Sequence, residues 1–135
     1  MATASRRPLH IVLWILQVAL GLMMLMSGSM KLFTPIPDLV EKGMKFASEY
    51  GELFPRFLGV CLIAGGLGLI LPAATRILPV LTPIAAAMLS LYFALAVGYH
   101  VQHSEPVGLT VGFTLIFAFI AFGRFKLAPI APKSA

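Results

Sequence analysis

Leu9-His10-Ile11-Val12-Leu13-Trp14-Ile15-Leu16-Gln17-Val18-Ala19-Leu20-Gly21-Leu22-Met23-Met24-Leu25-Met26-Ser27-Gly28-Ser29-Met30-Lys31-Leu32-Phe33 is the stretch whose reading decides the fold. Between Leu9 and Met30 no residue carries a fixed charge, and the hydrophilic side chains are His10, Gln17, Ser27 and Ser29. At about 1.5 Å per helical residue the run covers about 30 Å, the hydrocarbon thickness of a bilayer. A soluble helix would show a polar face every third or fourth position, and this run shows none. It reads as a transmembrane helix.

Composition agrees. The chain has 135 residues, 59% hydrophobic and 11% charged, where a soluble domain carries roughly 25% charged residues. Its length suits one domain. The single cysteine, Cys61, excludes a disulfide framework, a Cys-x-x-Cys redox pair and a cysteine-based zinc site. The net charge of +5 is not laid out as a basic patch interleaved with aromatics, so no nucleic-acid partner is expected. Ser5-Arg6-Arg7-Pro8 resembles a twin-arginine leader, but the apolar run is too long for a cleavable signal. An uncleaved first span with a basic flank is expected.

Outward from helix one, the same reading gives three more spans. The first covers about 9–33, with Pro8 in its first turn and Thr34-Pro35-Ile36-Pro37 breaking its end. In the segment from Asp38 to Tyr50, apolar Leu39, Val40, Met44, Phe46 and Ala47 alternate with Glu41, Lys42, Lys45 and Glu49. This spacing predicts a short amphipathic helix on the membrane surface or over the bundle mouth, with Asp38 as its N-cap. A second span is expected over 55–72, closed by Pro72; a third over 79–101; a fourth over 106–123, closed by Arg124-Phe125-Lys126. Four spans with short connections predict an all-α, up-down-up-down membrane bundle.

Loop charges predict its orientation. The termini and the turn between spans two and three share one side, which holds Arg6, Arg7, Arg76, Arg124, Lys126 and Lys133 and no acid. The other side holds Lys31, Lys42, Lys45 and Arg56 together with all five acids, Asp38, Glu41, Glu49, Glu52 and Glu105. The positive-inside rule then puts both termini in the cytoplasm; the expected location is the inner membrane of a bacterial cell. Small residues recur at intervals of four: Ala86, Ser90, Ala94 and Gly98 in span three, Ala64 and Gly68 in span two, Gly108 and Gly112 in span four. In lipid such stripes let helix backbones approach closely, so they are expected to be the packing faces.

Taken together, several short motifs resemble the DoxX-like family of small four-helix membrane proteins. They are His10–Gln17 and Gly28-Ser29-Met30-Lys31-Leu32 in helix one, then Gly59-Val60 and Gly65–Pro72 in helix two. Leu81-Thr82-Pro83-Ile84-Ala85-Ala86 opens helix three and His100 closes it. The likeness runs from His10 to Arg124. It implies kinship with the small membrane subunits of a thiosulfate:quinone oxidoreductase and association with membrane redox partners. The chain also departs from the pattern: many relatives place a glutamate three residues after the glycine that matches Gly59, and here that residue is Leu62.

Three residues are candidates for ligand binding. Lys31 is an intramembrane ammonium, costly unless it snorkels to the interface or meets a partner. His100 ends span three, and Gln17 offers an amide inside span one for an interhelical hydrogen bond or a quinone-type carbonyl. Asp38, His103 and Glu105 form a candidate polar cluster on the outer face. His100 and His103 share a helical face, but a metal would need a third ligand from elsewhere, and none is expected. No nucleophile–base pair or paired carboxylates lie within the spans. The leading expectation is an accessory or docking subunit of a larger membrane assembly, possessing a protein partner or self-associating. A redox protein or enzyme that binds a quinone or another lipid-soluble ligand comes second, and a small transporter last.

The topology has a direct check. Cysteines introduced at Ser48 and Ser134 are expected to react with a membrane-impermeant thiol reagent from opposite sides; labelling from one side overturns the orientation.

Overall fold

The computed structural model of the chain describes residues 2–42, 46–49, 51–104 and 106–132. Its helices are α1 (Ala2–Phe33), α2 (Ile36–Glu41), α3 (Phe46–Glu49), α4 (Leu53–Thr75), α5 (Leu81–Gln102) and α6 (Gly108–Phe122), and a π-helical turn, Gly123–Leu127, continues α6. Among the described residues, α1, α4, α5 and α6 with its π turn are long and apolar enough to cross a membrane. The protein is thus an all-α four-helix membrane bundle.

Several boundaries differ from those the sequence predicts, most of them at prolines. Pro8 lies inside α1, which starts at Ala2. Residues 38–50 do not form one amphipathic helix: α2 and α3 are separate short helices, and residues 43–45 and 50 lie outside the described residues. Asp38 is not the N-cap of α2. Pro35 takes that position and Pro37 the first turn, where a missing N–H costs nothing, leaving Asp38 in the first turn beside the positive end of the helix. Pro72 does not close the second span, which runs on to Thr75. A proline at 72 has no N–H to give the carbonyl of Gly68, and the Thr82 hydroxyl of α5 donates to that carbonyl instead, at 2.9 Å. The helix survives its proline because another helix supplies the missing donor. It ends at Arg76, whose left-handed backbone (φ 57°) turns the chain toward α5.

The closest helix contact is α1 against α4, and glycine makes it. A Cβ on Gly59 would lie 2.7 Å from the Gly28 carbonyl oxygen, and one on Gly66 would lie 2.8 Å from that of Gly21. Seven residues separate Gly21 from Gly28 and Gly59 from Gly66, two helical turns on each partner, so the pairs set one antiparallel register. Beyond this seam, α4 meets α5 at Gly65 against Leu89 and Gly68 against the Ala85 Cβ. α5 meets α6 through Phe93, which stacks on Phe117 and lies 5.0 Å from Phe113. The Ser90 hydroxyl of α5 also donates to the Thr114 carbonyl of α6 at 2.9 Å.

The expected small-residue stripes are therefore only partly packing faces. Ala86 is buried, and Ser90 and Gly68 touch neighbouring helices, but Ala64, Ala94, Gly98 and Gly108 are exposed. A Cβ on Gly98, Gly108 or Gly112 would meet nothing within 4 Å. Intervals of four drift around a helix, while the seam follows the alternation of three and four that keeps residues seven apart on one line.

Two substitutions separate these classes. Gly59→Ala drives a methyl group into backbone and is expected to cost about 1–3 kcal/mol, read as a lowered melting temperature in detergent. Gly98→Ala is expected to be neutral or to stabilise by up to about 1 kcal/mol, since it adds helix propensity into open space.

Candidate functional site

Among the described residues, the buried ones of α1 fall at Leu13, Gln17, Leu20, Gly21, Met24, Gly28 and Lys31. Two of them are polar, and each organises one end of the bundle. They are 14 residues apart, about 21 Å along the helix, so Gln17 does not share a site with Lys31.

At the end that carries both termini, Gln17 is fully buried. Its Nε2 donates to the Leu69 carbonyl of α4 at 2.8 Å, and its Oε1 accepts from Arg124 Nε at 2.6 Å. Arg124 is 2% exposed. Its Nη1 lies 2.9 Å from His10 Nδ1 and donates to the Ala128 carbonyl at 2.8 Å, its Nη2 reaches the His10 carbonyl at 3.4 Å, and its guanidinium stands 5.9 Å over the Trp14 ring. The flat fork of a guanidinium suits such divergent acceptors. The π turn brings it there: one extra residue per turn re-aims the side chain, and Gly123 lets Leu13 approach. This centre joins α1, α4 and the π turn that continues α6, and its residues do not line the cavity at the opposite end.

The opposite end is built differently. Arg56 of α4 donates through Nη1 to the carbonyls of Lys31 and Thr34, both at 2.7 Å, satisfying acceptors at the C-terminus of α1. Lys31 itself is 8% exposed. Its ammonium turns back along α1 to donate to Ser27 Oγ at 2.9 Å, one helical turn deeper instead of out toward the interface. The side chain does not snorkel. It borders a cavity of about 530 Å³ walled by the first half of α4 (Phe54, Phe57, Leu58, Cys61) and by α5 from Met88 to His100. Lining residues Phe57, Met88, Leu91 and Leu95 are also exposed on the bundle surface, so the cavity opens sideways, toward lipid. Its polar lining is Lys31, Tyr92, Tyr99, His100 and Thr110. A volume in the range of roughly 300–1,000 Å³, apolar walls and a few convergent polar groups are the marks of a small-molecule site.

Lys31 and His100 border one cavity. Of the outer polar cluster expected from Asp38, His103 and Glu105, Asp38 is exposed and Glu105 lies outside the described residues. His103 pairs with Glu49 of α3, its Nε2 3.2 Å from Oε2, while Tyr99 donates to Oε1 of the same carboxylate at 3.0 Å. Tyr99 and His103 stack at 4.0 Å, tying α3 to the end of α5 that borders the cavity. The group that sequence reasoning missed is Arg124, read as an interfacial charge. Its one signal was the pair His10 and Gln17, seven apart on one face of α1 and needing a partner from another helix. Among the described residues no group of three potential metal ligands converges. Leu62, at the glutamate position of many relatives, is 1% exposed in the core.

These features define a multi-pass membrane bundle with a lateral cavity. The DoxX-like family model matches residues 15–124, and the chain belongs to the DoxX-like family. No curated protein and no solved structure matches it.

Replacing Arg124 tests the terminal centre. Arg124→Leu leaves Gln17 Oε1 and the Ala128 carbonyl without their donor, at about 1–3 kcal/mol for each buried group. Thermal unfolding in detergent is expected to show the loss, and Arg124→Lys is expected not to restore it, because one ammonium cannot span acceptors placed for a fork. A melting temperature unchanged in both variants would show the centre to be dispensable.

Proposed function

We propose that the protein binds a lipid-soluble small molecule in the lateral cavity between α4 and α5, with the polar head at the Lys31 end, beside His100. The observation that carries this reading is the buried ammonium of Lys31 directed inward beside a half-open apolar cavity. A charged side chain within a span is costly, and a buried ammonium directed inward beside an apolar cavity is an arrangement that packing alone does not favour. The opening faces the layer in which such molecules dissolve. The cavity offers hydrogen-bond donors and shape, which suit holding and orienting a ligand. A quinone is one member of that class, and a role beside a membrane redox partner accords with it.

A second reading, an accessory subunit docked on a larger assembly or on another copy, is favoured by a separate observation. Ala94 and Gly98 on α5 and Gly108 on α6 are exposed small residues, and space stands open above both glycines. Such surfaces accept another helix at close range. The two readings are compatible, since the cavity and the small-residue surface use different residues.

Gentle purification from native membrane followed by mass spectrometry of protein and lipid fractions decides between them. The expected result is a lipid-soluble compound retained by the unaltered protein and lost from Ala96→Trp, which fills the cavity from its α5 wall. Equal retention by both proteins would overturn the ligand reading, and a stoichiometric protein partner without a ligand would replace it with the docking one.

A further inference from the structure

The polar end of the cavity limits what its occupant can be. The Lys31 ammonium has three N–H donors, and Ser27 Oγ accepts from one of them. Among the described residues no carboxylate lies within ion-pair distance of it; the described ion pair at this end of the bundle, His103 with Glu49, involves other groups. A cation buried to this degree in an apolar wall calls for an opposite charge, and a charge-assisted hydrogen bond is roughly twice as strong as one to a neutral acceptor. Thr110 and the rings of Tyr99 and His100 line the same end of the cavity.

The remainder of the cavity describes the tail. Phe57, Leu58, Met88, Leu91 and Leu95 give it apolar walls. A cavity of about 530 Å³ with such walls suits a hydrocarbon chain. The lateral opening lets a chain enter from the bilayer without crossing the polar end.

Resting on the ligand-binding reading above, we infer that the occupant is a single-chain acidic amphiphile of the long-chain carboxylate class, its head paired with the Lys31 ammonium and its tail lying between α4 and α5. Acidity distinguishes it from a quinone, whose carbonyls are neutral and leave the ammonium without a counter-charge. The single chain distinguishes it from an anionic phospholipid, which carries the same kind of charge on two chains.

The test uses the full chain in phosphatidylcholine nanodiscs, with oleate, oleyl alcohol and decylubiquinone as probes. Oleate and oleyl alcohol share a chain and differ in charge. Oleate is expected to bind at least tenfold more tightly than the alcohol. Lys31→Met is expected to reduce oleate to the level of the alcohol without changing alcohol binding, and Lys31→Arg to keep most of the preference. Equal binding of oleate and alcohol, or an oleate affinity indifferent to Lys31→Met, overturns the acidic head. The cavity reading then still stands if Ala96→Trp abolishes alcohol binding. Tighter binding of decylubiquinone than of oleate, or displacement of oleate by added phosphatidylglycerol, likewise overturns the inference. Binding of none of the probes removes the cavity reading and this inference together. If Lys31→Met does not fold, the ratio of oleate to alcohol in the unaltered protein decides alone.

Discussion

Direct backbone contact between α1 and α4, at Gly21 with Gly66 and at Gly28 with Gly59, is the constraint on which the remaining geometry depends. In lipid there is no hydrophobic force to drive helices together, so dispersion between closely approaching backbones has to do it. Two glycine pairs two turns apart fix both the distance and the register of the first two spans. That register aims Gln17 at the Leu69 carbonyl, close to the place where Pro72 interrupts the backbone ladder of α4. It also brings Arg56 under the C-terminus of α1, where it caps the last carbonyls and leaves Lys31 facing inward.

The two ends of the bundle then diverge in character. Near the termini, α4 and α5 meet through Gly65, Gly68 and Ala85, and the Thr82 hydroxyl bonds across the same contact. The bonds of Arg124 draw α6 and the tail onto α1. Toward the other end, α4 and α5 present Phe57, Cys61, Tyr92 and Leu95 in place of glycine and alanine, and side chains of this size leave a cavity between the helices. One end is locked by a dense hydrogen-bond centre and the other kept open. A ligand site needs that combination, because a rigid frame holds the polar groups in place while the open side admits the molecule.

Some of this is plain in the residues themselves. Uninterrupted apolar runs that end in proline, glycine or charge mark four spans, because bilayer thickness and the need to satisfy every backbone group leave helices as the one regular solution for them. Lys31 stands out in such a run by cost alone. Pro72, by contrast, misleads: a proline ends a helix when its i−4 carbonyl has no other donor, and the donor here is Thr82, ten residues on and in the next helix. The stripes at intervals of four mislead for a related reason, since small residues on a lipid-facing surface and in a seam have the same letters.

What the sequence by itself determined, then, is the number of spans, the membrane as solvent, and Gln17 and Lys31 as polar groups held within it, all consequences of transfer energy along one helix at a time. Tertiary structure alone decided which of those groups meet. Gln17 joins Arg124 across 107 residues of chain, Lys31 and His100 border one cavity, and His103 turns to Glu49. Each of these pairings depends on the rotation and register of one helix against another. Those are set by close contacts among glycines and bulky neighbours, which a linear pattern does not encode.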